Sequence, residues 1–266
     1  MRPRVLMGHF LIRLGRFIQD LAIMIMRPHD LMEFSRQSYT KPRSVNAWGQ
    51  KDLVDSGLNP DEKRLLNDLS LKEGRILLLG VGGGREAIAL ARKNYEVTGV
   101  DFIPGMVDKA KENAAICGLK IEGLVQEISK LDVPANSYDI VWLSAGSYSS
   151  VPTKKRRQEM LKRIGRALKP EGYFVYPFRW ALRFEFSPKV QTLRKLFAVF
   201  TLGNMEYEKG DMLYNNNEFV HAFSTVEEIR LEFEEGGFEV VHIHKREGKK
   251  NGGAILKFKN CNNIEE

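Results

Sequence analysis

The sequence predicts an α/β fold, a three-layer sandwich whose mostly parallel seven-stranded sheet finishes in an antiparallel hairpin, preceded by an N-terminal helical extension. Three observations predict it. Short apolar runs alternate with helical periodicity through the middle of the chain, which is the pattern of βα units. A glycine-rich turn holding Gly80, Gly82 and Gly84 separates the first apolar run from the first helical pattern. Late in the chain, two further apolar runs flank Glu247–Gly253, a stretch rich in Gly and Asn that reads as a hairpin turn.

In order, Arg75–Leu79 reads as the first strand and Glu86–Lys93 as its helix. Glu96–Val100, Leu119–Gln126, Tyr138–Leu143 and Gly172–Tyr176 read as the next four strands, with helices at Gly105–Cys117 and Lys154–Leu168. Thr225–Gly236 reads as a helix capped by Ser224 or Thr225, and Phe238–His244 and Ala254–Phe258 as the closing hairpin. Two regions stand outside this alternation. The segment 1–70 reads as a helical extension or lid, and 178–223 as an insertion too long for an ordinary connection. The predicted domain then spans 71–260, with 261–266 as a tail.

Composition narrows the class. The chain has 266 residues, 43% hydrophobic and 28% charged, the balance of a globular protein. No run approaches the roughly 18 apolar residues that span a bilayer. A secretory signal fits poorly, because Arg13, Arg16 and Asp20 interrupt the apolar positions. Cys117 and Cys261 do not form a disulfide framework, and no Cys/His cluster has metal-ligand spacing, so a reducing, cytoplasmic setting without a metal is expected. The net charge of +7 suits nucleic acid, an anionic membrane surface, an anionic substrate or a merely basic protein.

The segment LLLGVGGGREAIALA, 77–91, carries the strongest signal. Glycines between a buried strand and a helix let the backbone turn tightly and approach a ligand at the helix N-terminus. The second strand ends in Asp101, about 20 residues beyond the glycines, where a carboxylate can accept both hydroxyls of a ribose. Its plainer role is a turn residue before Pro104.

At this point the sequence resembles the class I, Rossmann-like methyltransferases that bind S-adenosylmethionine. Besides LLLGVGGGREAIALARKNYEVTGVD, the segments LVQEISKLDVPANSYDIVWLS and LKRIGRALKPEGYFVYP carry the likeness, in that order. The resemblance implies S-adenosylmethionine as cofactor and S-adenosylhomocysteine as product. It implies that Gly80, Gly82 and Gly84 line the methionine and ribose, that Asp101 holds the ribose, and that Phe102 and Met106 pack near the adenine. Glu127 stands at the adenine-contacting acid, Ile128 offers a backbone N–H, Ser144 sits beside the transferring methyl, and Tyr39 is the candidate N-terminal aromatic over the cofactor. Two positions depart from the family pattern. Leu78 stands where the family has an acid for the methionine amino group, and Glu127 stands in place of Asp. Neither favours NAD, because Arg85 occupies the third glycine position of G-x-G-x-x-G.

Methyl transfer from a sulfonium needs alignment and water exclusion more than a catalytic triad. His221, in NEFVHAFS, and Tyr148, after the fourth strand, are the candidates for a base or a substrate-orienting group; a packed His and a pocket-lining Tyr are their plainer roles. Tyr176 and Arg179 follow, the latter for an anionic substrate. The expected acceptor is a small molecule or a lipid-linked compound. RNA methylation, non-catalytic cofactor binding and NAD-dependent oxidoreduction are the competing readings.

In 5–27, Leu6, Phe10, Leu14, Phe17, Leu21 and Met24 recur at spacings of three and four, with Arg13, Arg16, Asp20 and Arg27 opposite. Such a helix packs on its own domain, forms a homodimer contact or lies on a membrane surface. The run Lys154–Arg157 opens a helix and reads as a solvated face or an anion site.

Overall fold

The computed structural model describes residues 2–179, 188–246, 248–249 and 251–259. Prolines punctuate the N-terminal extension, where α1 (Pro3–Ile25), α2 (Pro28–Thr40), α3 (Pro42–Trp48), α4 (Lys51–Asp55) and α5 (Pro60–Asp68) follow one another. Four of these five helices begin on Pro, whose missing N–H costs nothing in a first turn. Asn59 and Glu62 add a reciprocal capping box to α5.

The alternating core then runs β1 (Gly74–Leu79), α6 (Arg85–Ala91), β2 (Tyr95–Asp101), α7 (Pro104–Ile116), β3 (Glu122–Val125), β4 (Tyr138–Leu143), α8 (Lys154–Ala167) and β5 (Leu168–Arg179). The 178–223 region contributes α9 (Pro188–Phe200) and a two-stranded antiparallel hairpin, β6 (Asp211–Tyr214) with β7 (Glu218–His221). The chain closes with α10 (Val226–Glu235), β8 (Phe238–Lys245) and β9 (Asn251–Phe258).

The main sheet has seven strands in the order β3-β2-β1-β4-β5-β9-β8. The first five are parallel, and β9 runs antiparallel to both β5 and β8. The expected sandwich with its terminal hairpin is therefore the observed fold. β5 is longer than Gly172–Tyr176 because its far end, Tyr176–Arg179, pairs with Ala254–Asn251. β9 likewise begins at Asn251, inside the stretch read as a turn, so the connection is shorter than expected; its Glu247 and Lys250 lie outside the described residues, as do Cys261 and the rest of the tail.

Two apolar layers bury the sheet. Leu77, Leu79, Val141 and Leu143 face α8 and α10, while Ile76, Leu78, Ile140 and Trp142 face α5, α6 and α7. The alternation along each strand is the two-residue period of a pleated backbone. A third, separate cluster of Ile23, Met24, Leu31, Ala198 and Phe219 joins α1, α2, α9 and β7. The extension and the insertion thus share one small core of their own.

Candidate active site

The strand order reverses between β1 and β4, and a crevice at the carboxyl ends of such strands is the expected ligand site of an open α/β sheet. A cavity of about 370 Å³ lies there. Its floor is Gly80, Gly82, Asp101, Phe102, Ile103, Met106, Glu127, Ile128 and Ser144–Ser147, with Ser149 and Ser150 beyond. Its roof is Met32, Ser35 and Tyr39 of α2, Trp48 at the end of α3, and Tyr214, Glu218 and Val220 of the small hairpin; Arg179 stands at the end of β5.

Backbone donors fix Asp101. Gly82 N–H donates to Oδ2 at 3.0 Å and Ile103 N–H to Oδ1 at 3.1 Å. Burial pushes its carboxyl up, and these N–H bonds pull part of the way back. Gly82 takes φ 50°, and a Cβ built on it would meet nothing within 4 Å, so its α-carbon faces open cavity. A ligand can lie against the backbone there. Glu127 accepts from the Ser129 hydroxyl and pairs with Lys130 at 3.1 Å. Burial alone would raise it, but these partners hold it below the usual carboxylate range.

The roof is tied down by side chains. Ser35 Oγ accepts from Phe219 N–H at 2.9 Å, clasping α2 to β7. The Tyr39 hydroxyl donates to Glu218 inside the cavity. Burial pushes Glu218 up, and the Tyr39 bond offsets only part of that; Tyr39 is itself raised by burial and by the carboxylate. Asn113 of α7 donates to Gly83 O at 2.9 Å and to Gly49 O at 3.3 Å, joining the glycine turn to the chain after α3. A Cβ on Gly83 would lie 2.2 Å from Trp48 O, so only glycine lets the roof sit this close.

Of the residues singled out in the sequence, Gly80, Gly82, Asp101, Phe102, Met106, Glu127, Ile128, Ser144 and Tyr39 line the cavity, as does Arg179. Gly84, Tyr148 and His221 do not. Gly84 is the N-cap residue of α6, and its missing Cβ makes room for Ala110 of α7, so it serves helix packing. Tyr148 is wholly buried among Tyr176, Phe223 and Phe233, and its hydroxyl donates to Glu232 at 2.6 Å. Tyr176 shares that cluster. His221 is buried against Phe223 with Nδ1 2.8 Å from Asp211 Oδ1. The reason is strand parity: along β7, Glu218 and Val220 face the cavity, so Phe219 and His221 face away.

Sequence reasoning therefore missed Glu218, three residues before His221 on the same strand. It also missed Glu86. Leu78 is a fully buried core residue, but Glu86 on α6 carries a carboxylate to within 2.8 Å of Ser144 Oγ, directly behind the cavity wall. Burial raises this carboxyl, Arg85 at 2.7 Å opposes that, and Glu62, itself paired to Arg85, adds to it. The GGGRE spacing was the available signal.

The first and last residues of the Lys154–Arg157 run are already paired. Arg157 turns inward, donating through Nε to Glu232 at 2.6 Å and through Nη2 to Glu208 at 2.9 Å, while Lys154 pairs with Glu235. Glu208, Asp211 and His221 bring ligand-type atoms within 4.8 Å of one another, but the Arg157 guanidinium already supplies the positive charge.

Residues 76–172 match a family described as "Methyltransferase domain". Over 114 residues the chain is 33% identical to the ubiquinone biosynthesis O-methyltransferase of Coxiella burnetii, covering 43% of this chain and 47% of that one. Over 104 residues it is 36% identical to a shikimate dehydrogenase (NADP(+)) of Bacillus thuringiensis subsp. konkukian, covering 37% and 38%. The chain spans less than half the length of the curated relatives it matches. Among solved structures, a SAM-dependent methyltransferase from Methanosarcina mazei superposes with a TM-score of 0.58 at 25% identity, covering 77% of this chain and 100% of that one. The antiparallel β9 between β5 and β8 departs from the doubly wound dinucleotide order.

Proposed function

We propose that this chain, a member of the class I S-adenosylmethionine-dependent methyltransferases, transfers a methyl group in line to a small-molecule or lipid-linked acceptor. The observation that carries the reading is Asp101, held by two backbone N–H groups at the cavity floor beside the open face of Gly82. A carboxylate has about four acceptor directions, and those the backbone leaves free can take the vicinal hydroxyls of a ribose. Phe102, Met106 and Ile128 give an adenine an apolar slot, with Glu127 at its edge.

The cofactor supplies an activated methyl on a sulfonium that leaves as a neutral thioether. Leu78 offers nothing to the amino group of the methionine part, so Glu86 takes over. Ser144 commits its proton to Glu86. Its oxygen then faces the cavity with only lone pairs, which accept from an ammonium while the carboxylate behind supplies the charge. Glu218 is the group that takes a proton from the acceptor. Burial brings its pKa nearer to that of a weakly acidic substrate, and Tyr39 orients it. Met32, Trp48 and Val220 keep water out, and Arg179 meets an anionic part of the acceptor.

Calorimetric titration with S-adenosylmethionine, S-adenosylhomocysteine and NADP tests the site. Binding of the first two but not the third is expected, followed by label transfer in an acceptor screen. If the folded protein binds neither, the reading falls. Binding with no transfer to any acceptor would favour a non-catalytic role.

A further inference from the structure

We infer that α1 and α9 together form a docking face for an anionic lipid bilayer. Only the last turns of α1 are anchored to the body. Ile23 and Met24 are buried in the small third core, Asn204 N–H donates to Met24 O at 2.7 Å, and the Arg27 guanidinium donates to Leu202 O at 3.0 Å. The preceding turns carry Leu6, Phe10, Leu14 and Ile18 along one side, all exposed, Phe10 at 62%. A stripe that would be buried in an ordinary amphipathic helix here faces solvent.

α9 repeats the pattern. Arg194 and Ala198 are buried on its packed side, while Leu193, Leu196 and Phe200 point outward, Phe200 at 84% exposed. Leu202 and Met205 continue the apolar surface through the loop that clasps the end of α1. Exposed apolar side chains this large and this contiguous mark an interaction surface.

Charge decides the partner. Residues 1–19 contain Arg2, Arg4, Arg13 and Arg16 and no Asp or Glu; residues 188–205 contain Lys189 and Lys195 besides Arg194, which is buried beside Asp20 and adds nothing to the surface, and again no acid. An isologous contact with a second copy would set this cationic surface against itself. An anionic leaflet complements it, with the apolar side chains at the acyl boundary and the arginines at the headgroups. No helix among the described residues is long and apolar enough to cross a membrane. The inference stands apart from the proposed chemistry.

The test is co-sedimentation of the full chain with vesicles of phosphatidylcholine alone or mixed with phosphatidylglycerol, at low and high salt. Partition onto the anionic vesicles should exceed that onto the neutral ones by roughly tenfold and fall with salt. The double variants Phe10→Asp with Leu14→Asp, and Leu193→Asp with Phe200→Asp, should each weaken it by roughly tenfold while leaving S-adenosylmethionine titration unchanged. Arg4→Glu with Arg13→Glu should remove the preference for anionic lipid. Absence of partition by the wild-type chain would overturn the inference, as would partition indifferent to every variant. A dimer seen by sedimentation velocity, dissolved by the same substitutions and without vesicle binding, would assign the face to a second copy instead.

Discussion

Beneath the cavity, Asp101 is held by backbone N–H groups of Gly82 and Ile103, 19 and two residues away. Above it, Tyr39 and Glu218 hold each other through side chains 179 residues apart. The floor is built by local geometry at the ends of parallel strands. The roof is assembled from an N-terminal extension and a late insertion that meet only after folding. In the proposed reading, the floor meets the constant cofactor and the roof, built from more variable segments, meets the acceptor.

The largest effect should come from Arg157, whose guanidinium joins α8 to Glu232 of α10 and to Glu208 of the insertion. Arg157→Met leaves buried Glu232 without its cation and should cost about 3–5 kcal/mol in denaturant unfolding. A change under about 1 kcal/mol would mean that the insertion is held elsewhere. Asp101→Ala should weaken S-adenosylmethionine binding by roughly a hundredfold in calorimetry, the loss of charge-assisted hydrogen bonds to a ribose, and should also lower the melting temperature, because the Gly82 and Ile103 N–H groups lose their acceptor. Unchanged affinity would remove the floor assignment altogether.

On the roof, Glu218→Gln should lower kcat by about a hundredfold while barely altering the Kd for the cofactor. Because burial raises Glu218 and the ionised form is the base, kcat should climb with pH along a limb above the ordinary carboxylate range. Tyr39→Phe removes the hydrogen bond that partly offsets this, so the limb should move to still higher pH; a shift to lower pH would contradict the assignment. The smallest effect belongs to Tyr148→Phe. Arg157 still serves Glu232, so stability should drop by about 1 kcal/mol with kcat and KM unchanged. A large kinetic loss there would return Tyr148 to the chemistry.

Gly82 and Asp101 could be read from spacing because each ends or follows a strand whose direction the βα alternation dictates, whereas Glu127 and Ser144 came only from the resemblance to a family. Tyr148 and His221 were misplaced because residues in irregular or short extended segments differ in facing by a single position. Ser147 and Ser149 line the cavity while Tyr148 between them fills the core. Glu86 escaped notice because the expected acid was sought on the strand, and a helix beginning at Arg85 delivers it from the other side of the turn.

By itself the sequence determined the order of strands and helices, the antiparallel finish and the cavity floor, since hydrophobic period, glycine placement and the handedness of βα crossovers are properties of neighbouring residues. Only the tertiary structure decided that α2 and the small hairpin close over the floor, that Glu218 rather than His221 enters the cavity, and that α1 and α9 leave a joint apolar face uncovered. Those outcomes depend on pairings across long stretches of chain, and no local pattern encodes which distant surface a segment will meet.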